Sequence, residues 1–439
     1  MINLFERNDQ KARDLLYSLH QAGFEQPTVF LEDDGWLPKK SESPFMYFAK
    51  RKESGRPRYF NEIEVPRYWE IVGDSQSGKV IFSGQIKAKI NYITPKEKRF
   101  VKDVSWLDGA GHVRAVDHYD RYGMRFAQTT YTENESPIIK TYYDATQREV
   151  LVQNFVTGDF LLTRADKTLN FKNLTELTLF YLKERGYNLE RIFINSLSYP
   201  FFVLTQLKEA GVDVLFWQEE LTDSIPGNMQ LILNGQVPRL KQIIVQDKTT
   251  YEKAVQLSDR PEYFTQLGFI YPQKRANQQR KELLTLTNSD QLEQIEALSS
   301  ELTEFEFHIA ALTEMSPKLL QLGQRENITL YPNVALAQLN ELFDRADFYL
   351  DINHHQELLL AGRQAYENEM LLLGFENTVH ARHFTAPENI YAPAKVAKLA
   401  QKLRQAATDE SYLQELLKIQ KQTAQAETPA TYQAKLGRA

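Results

Sequence analysis

The chain has no cysteine among its 439 residues. That excludes a disulfide framework, a thiolate metal site and a thiol nucleophile. It also lacks a long hydrophobic run. Residues 1–20 carry Glu6, Arg7, Asp9, Lys11, Arg13 and Asp14 where a secretory signal would need an apolar stretch, and no later apolar run approaches the ~18 residues of a spanning helix. A cytoplasmic protein is expected. No strand-like segment is followed by G-x-G-x-x-G, which argues against a dinucleotide-dependent enzyme. Net charge is −6, so there is no global pull toward nucleic acid, and no nucleic-acid partner is expected. What the chain does have is ordinary for folded protein: 42% hydrophobic and 25% charged residues, with 25 Phe, 22 Tyr and 4 Trp to build cores. The length predicts two or three domains.

The hydrophobic period changes along the chain. Ala12, Leu15, Leu16, Leu19 and Ala22 lie at helical spacing, and Thr28–Leu31 reads as a strand. Residues 57–163 then read as β segments separated by turn signals, predicting an antiparallel meander of about eight strands, with 79–92 taken as one. From 171 onward helices and strands alternate, with 229–233 taken as a strand, and this predicts a parallel sheet covered by helices. Residues 271–280, with Lys274, Arg275, Arg280 and the adjoining Lys281, interrupt that rhythm as a basic linker. A second alternation follows, with closing helices over 393–423 and a frayed tail over 424–439. The fold class is therefore α/β, with two Rossmann-like doubly wound domains and a meander inserted in the first. The expected boundaries are 1–56 with 164–272 for the first domain, 57–163 for the meander and 273–439 for the second.

Several local motifs read as structure. Gly73–Lys79 matches G-x-x-x-x-G-K, but Val80 stands where a phosphate loop needs Ser or Thr, and a β run follows in place of a helix, so a hairpin turn is expected. His354-His355 and His380-x-x-His383 lack metal-ligand spacing, and no metal or other cofactor is expected. Asn173 and Asn327 open glycosylation sequons by chance. Seven Lys or Arg between Lys39 and Arg58, interleaved with Phe45, Tyr47 and Phe48, read as a solvated loop, with anionic lipid or an acidic partner as the sharper alternative.

Two doubly wound domains in tandem suggest the GT-B glycosyltransferase architecture, whose retaining members use a basic pair to neutralise the leaving diphosphate and two glutamates eight residues apart near the donor sugar. Neither feature is visible here. Residues 282–317 contain no Lys or Arg but eight acids, namely Glu282, Asp290, Glu293, Glu296, Glu301, Glu304, Glu306 and Glu314. None of Glu357, Glu367 and Glu369 has an acidic partner at the required spacing, and they read as a polar helix face. A segment so charged is expected to repel a diphosphate, so no catalytic residue is assigned. An active retaining GT-B enzyme recruiting Lys318, Arg325 or Arg363 is the alternative.

Four strings carry a family resemblance: FNEIEVPRYWEI from Phe60 to Ile71, WLDG from Trp106, YLDIN from Tyr349 to Asn353, and GFENTVH from Gly374 to His380. They resemble the GtfB-type stabilising subunits of the two-component O-GlcNAc transferases that modify serine-rich-repeat adhesins in the accessory Sec pathway of Gram-positive bacteria. The resemblance implies a noncatalytic, chaperone-like subunit. It implies a catalytic partner in an assembly of two subunits of each kind, a Ser/Thr-rich acceptor polypeptide, and peripheral contact with the inner face of the membrane. Independently, a long meander has unpaired edges suited to a partner. The candidate partner interface is Tyr59, Phe60, Tyr68, Trp69, Ile71 and Phe82, residues that could equally line the meander's own core.

Overall fold

A computed structural model of the protein describes residues 1–165 and 167–437. The chain forms two compact units, one spanning Met1–Gly268 together with the tail from Pro429 onward, the other Phe269–Thr428.

In the first unit a parallel sheet of seven strands runs in the order 264–266, 240–245, 213–217, 192–194, 2–5, 28–30, 41–42. Its central strands, such as Ile2–Phe5 and Ile192–Ile194, are short and buried along their whole length because helices cover both faces. The helix Gln10–Gln21 starts where the Asp9 side chain accepts from the Ala12 N–H, and it buries Ala12, Leu15, Leu16 and Leu19. Segment 229–233, expected as a strand, lies in the helix Gly227–Leu233, which opens after Pro226. The apolar run MQLIL suits either state when read alone.

The meander is antiparallel throughout and keeps sequence order from Glu70–Gly73 to Lys167–Phe171. Among the described residues it has ten strands against the expected eight or so. Segment 79–92 divides at Ser83-Gly84, both at positive φ, where a two-residue hairpin joins Phe82 to Gln85. Strand Lys167–Phe171 is the other addition. Gly73–Lys79 is a hairpin turn, with the Asp74 carboxylate accepting from the Gln76 and Ser77 N–H groups at 2.7 and 2.9 Å. Phe126, Tyr142, Leu151, Phe160 and Leu162 of the meander join Phe45 and Phe48 in the core beneath the parallel sheet. Near its first strands a separate small core gathers Ile63, Val80, Ala88, Ile90, Val101, Val104 and Tyr119.

The second unit is a parallel sheet of six strands in the order 328–331, 306–310, 282–286, 348–351, 371–375, 390–391, the Rossmann-type 3-2-1-4-5-6 arrangement. The basic segment 271–281 is anchored to this unit rather than solvated. Arg275 Nη1 lies 2.5 Å and Arg280 Nε 2.9 Å from the fully buried Asp347 carboxylate. Burial pushes the Asp347 carboxyl up, yet the hydrogen bonds from Arg280 and Arg275 outweigh it and hold it below its ordinary value. Where boundaries were expected at 56/57, 163/164 and 272/273, the meander strands extend to Phe171 and the units divide at Gly268/Phe269. The tail, expected to fray beside the second domain, forms the helix Pro429–Leu436 within the first unit. Its buried Tyr432 donates to the Gly268 carbonyl at 2.7 Å, and Gln433 donates to the Ala22 carbonyl at 3.0 Å.

Candidate functional site

A doubly wound sheet binds ligands beyond the carboxyl ends of its strands, where the strand order reverses. In the second unit that point lies between 282–286 and 348–351. Its two loops are stapled to each other. The Thr287 hydroxyl is 3.0 Å from Asn353 Oδ1, and Asn353 Nδ2 reaches Asn288 Oδ1 at 3.1 Å and the His355 carbonyl at 2.9 Å. Beside the staple is a cleft of about 720 Å³ lined by Asp290, Glu293, Glu296, Lys318, Arg325 and His354, among others.

The charges in this cleft are fewer than the sequence suggests. Of the eight acids in 282–317, only Asp290, Glu293 and Glu296 line it. Glu282 pairs with Arg345 at 2.5 Å, Glu301 and Glu304 share Arg404 at 3.1 and 2.8 Å, and Glu306 accepts from Thr329 at 2.6 Å. Three carboxylates thus face Lys318 and Arg325 across the cleft, and the expected repulsion is slight. Glu293 is 2.8 Å from His354 Nε2, 2.7 Å from Asn377 Nδ2 and 3.0 Å from Gln294 Nε2. Burial opposes its ionisation, but these hydrogen bonds prevail and keep its carboxyl below its ordinary value. Arg325 donates to Ser299 and Ser300, while Arg363 pairs with Glu367 at 2.8 Å and lies over the Tyr271 ring. Of the cations that could grip a phosphate here, only Lys318 lies exposed without such a role among the described residues.

The glutamates downstream are also engaged. Glu357 does not sit on a helix face. It precedes the helix Ala361–Glu367 and accepts from the Gly362 N–H at 2.9 Å, with burial raising its carboxyl above its ordinary value. Glu367 is 3.0 Å from Lys274, and Glu369 is 2.5 Å from Lys421. Asp351 accepts from the backbone of His380 and Ala381 at 2.7 and 3.1 Å, and its other oxygen is 2.8 Å from His380 Nδ1. The hydrogen bond to Asp351 raises the His380 pKa despite burial. His383 meets the Tyr271 hydroxyl at 2.9 Å. Among the described residues no group of three or more His, Asp or Glu is placed to hold a metal ion.

The six candidate interface residues divide into two sets. Phe60, Trp69 and Ile71 lie partly buried against the meander's small core, and Tyr59 packs on Phe60 with ring centroids 4.9 Å apart. Tyr68 is 77% exposed and Phe82 40% exposed, with Phe82 stacked on Trp69 at 5.6 Å. Tyr68 also has φ +69°, a left-handed backbone that a tyrosine rarely adopts. Behind Trp69 opens a groove of about 770 Å³ lined by Trp69, Trp106, Asp117, Arg125, Gln128 and Gln147, among others. Asp117 organises its floor by accepting from Trp106 Nε1 at 2.7 Å and Gln128 Nε2 at 2.8 Å. Sequence reasoning did not single out this floor. Asp117 and Gln128 are brought opposite each other by strand register, which only the pairing reveals.

Tandem doubly wound units, an inserted meander and a second-unit crevice whose loops bond largely to one another define a glycosyltransferase-shaped protein. Domain models of one family match in succession along the chain: the GtfB N-terminal domain over 2–48, the GtfB middle domain over 69–172, the GtfB third domain over 174–257, and the GftB/GlyA-F C-terminal domain over 283–420. A relative from Streptococcus pneumoniae is 42% identical over 97% of this chain and 96% of its own length, and is named as the UDP-N-acetylglucosamine–peptide N-acetylglucosaminyltransferase stabilizing protein GtfB. The chain belongs to the GtfB family. A chain in the crystal structure of a GtfA/B complex bound to UDP and GlcNAc is 40% identical over 99% of both chains, with a TM-score of 0.95. The pneumococcal O-GlcNAc transferase GtfA, 13% identical with a TM-score of 0.55 over 99% of this chain and 98% of its own, shares the fold. Among the described residues no helix is long and apolar enough to cross a membrane.

Proposed function

We propose that this chain is the noncatalytic, stabilising and acceptor-binding subunit of a protein O-GlcNAc transferase. Its partner would be a GtfA-like catalytic subunit, in an assembly of two copies of each. The observation that carries this reading is the crevice of the second unit, where Thr287, Asn353 and Glu293 bond to the protein itself and Arg325 is already engaged. Donor chemistry needs preorganised positive charge on the leaving diphosphate, and the residues here supply little. Full-length similarity to GtfB stabilizing proteins supports the partnership.

The acceptor is a Ser/Thr-rich adhesin segment modified in the cytoplasm before export by the accessory Sec pathway, with the assembly resting on the inner face of the membrane. The meander groove suits that acceptor. The faces of Trp69 and Trp106 offer apolar contact, flanked by an Arg125–Gln147 pair whose mutual hydrogen bonds a bound peptide would exchange for its own. Tyr59, Phe60, Tyr68, Trp69, Ile71 and Phe82 are the proposed partner surface, with Tyr68 and Phe82 making direct contact.

The test is purification of the chain alone and with its cognate catalytic subunit. Alone it should show no heat of UDP-GlcNAc binding and no transfer to a serine-rich peptide. Together, the yield and activity of the catalytic subunit should rise. Transfer by the chain alone would refute the proposal.

A further inference from the structure

The loop over residues 33–58 of the first unit closes on the meander turn at 119–124 by direct backbone contact. Gly35, at φ +77°, would place a Cβ only 2.6 Å from the Phe126 ring and 3.0 Å from Asp120 Cα. Gly55, at φ +130°, would bring one to 2.5 Å from the Tyr122 carbonyl, and Gly123, at φ +85°, to 2.5 Å from the Arg56 carbonyl. Any side chain at these positions would collide with backbone. Arg121 N–H donates to the Gly35 carbonyl at 3.0 Å, and Trp36 Nε1 donates to the Tyr119 carbonyl at 3.0 Å. Inside this clasp lie three charges. Arg51 Nη2 is 2.5 Å from Asp33 Oδ2, and Arg51 Nε is 3.8 Å from Asp120 Oδ2, with the three side chains 4%, 0% and 1% exposed.

The triad is not closed by its own members. Arg51 Nη1, Asp120 Oδ2 and Ser41 Oγ are buried and have no hydrogen-bond partner in the protein. Buried polar atoms in native proteins are otherwise almost always bonded. All three residues line the same cavity, with a volume of about 20 Å³. One water needs roughly 10–15 Å³ and two to four polar partners. We infer that a single buried water occupies this cavity, accepting from Arg51 Nη1 and donating to Asp120 Oδ2 and Ser41 Oγ, and so completes the joint between the meander and the first sheet. A water matches the donor and acceptor set. A cation would face the Arg51 guanidinium, and an anion would face Asp120 and Asp33. The water links the edge strand Ser41–Glu42, the segment after the helix Pro44–Phe48 and the meander turn, so the groove-bearing meander is held to the sheet as one body.

A crystal structure of the full chain at a resolution that shows ordered solvent tests this, with crystals grown in rubidium bromide so that either ion would give an anomalous signal. One peak within hydrogen-bonding distance of Arg51 Nη1, Asp120 Oδ2 and Ser41 Oγ, with no anomalous signal, is expected. Absent density, or an anomalous peak, overturns the inference. A stability comparison gives a second measure. Ser41→Ala leaves the water two partners, whereas Ser41→Val fills the cavity with methyl groups, so the Val variant should melt at the lower temperature. A Ser41→Val protein melting at or above Ser41→Ala would show the cavity to be dry.

Discussion

The crevice of the second unit and the groove of the meander are of similar size, about 720 and 770 Å³, and in both the polar side chains bond one another, yet only the groove is walled by indole rings. In the crevice, Thr287, Asn288 and Asn353 bond to one another, and Glu293 gathers His354, Asn377 and Gln294. In the groove, Asp117 fixes Trp106 and Gln128 from below and Arg125 and Gln147 bond each other at 3.0 Å, so the two indole rings are what the opening offers. A site can lose its ligand without losing its fold when the polar groups satisfy each other, because the penalty attaches to unpaired groups rather than to polarity itself.

Breaking the internal pairing of the second unit should have the largest effect. Asp347→Ala leaves the Arg275 and Arg280 guanidinium groups without their shared partner, and the expected loss is about 3–5 kcal/mol of unfolding free energy in urea titrations. Asn353→Ala opens the staple between the crevice loops and should cost about 1–3 kcal/mol. It should gain no UDP-GlcNAc binding by calorimetry, since no cation is added, and measurable binding would break the contrast between the two sites. On the meander side, Tyr68→Gly relieves a left-handed tyrosine and should stabilise the isolated chain by about 1 kcal/mol in thermal melts. If Tyr68 contacts the partner as proposed, the same variant should weaken co-purification with the catalytic subunit, and unchanged co-purification would remove Tyr68 from the interface.

The smallest effect concerns His380. Its pKa is raised in the folded protein by the hydrogen bond to Asp351, so the folded state holds this proton more tightly than the unfolded chain. The stabilisation is therefore complete below about pH 6.5, the unfolded value, and is lost as pH rises through the higher folded value. His380→Gln should flatten that part of the stability profile, measured by urea midpoints across the range.

The doubly wound pattern and the inserted meander were legible because long alternations survive errors at single elements. Ile2–Phe5 was not, although it sits between strands 192–194 and 28–30 in the first sheet, because a four-residue segment shows no period and only parallel partners define it as a strand. The 83–84 hairpin was hidden for a related reason, since its two-residue turn is shorter than the turn clusters that divide the other strands. At the crevice, counting charge in 282–317 gave the correct sign and overstated its size, because Arg345 and Arg404 reach back to neutralise acids from outside the segment. The basic linker misled in the mirror sense. Arg275 and Arg280 serve Asp347, about seventy residues downstream, a distance over which sequence spacing carries no information. Recognisable strings supplied the family where residue patterns stopped at fold.

The helix Pro429–Leu436 has a consequence for how the chain is made. The first unit receives Tyr432 and Gln433 only after the whole of 269–428 has been synthesised. At a translation rate of ~5–20 residues per second, its sheet and meander wait on the order of ten seconds or more with that docking surface uncovered. The Glu427 N–H donates to the Phe269 carbonyl at 2.9 Å, so the second unit begins and ends at adjacent points. Its two ends therefore lie side by side, as those of a domain inserted into another do.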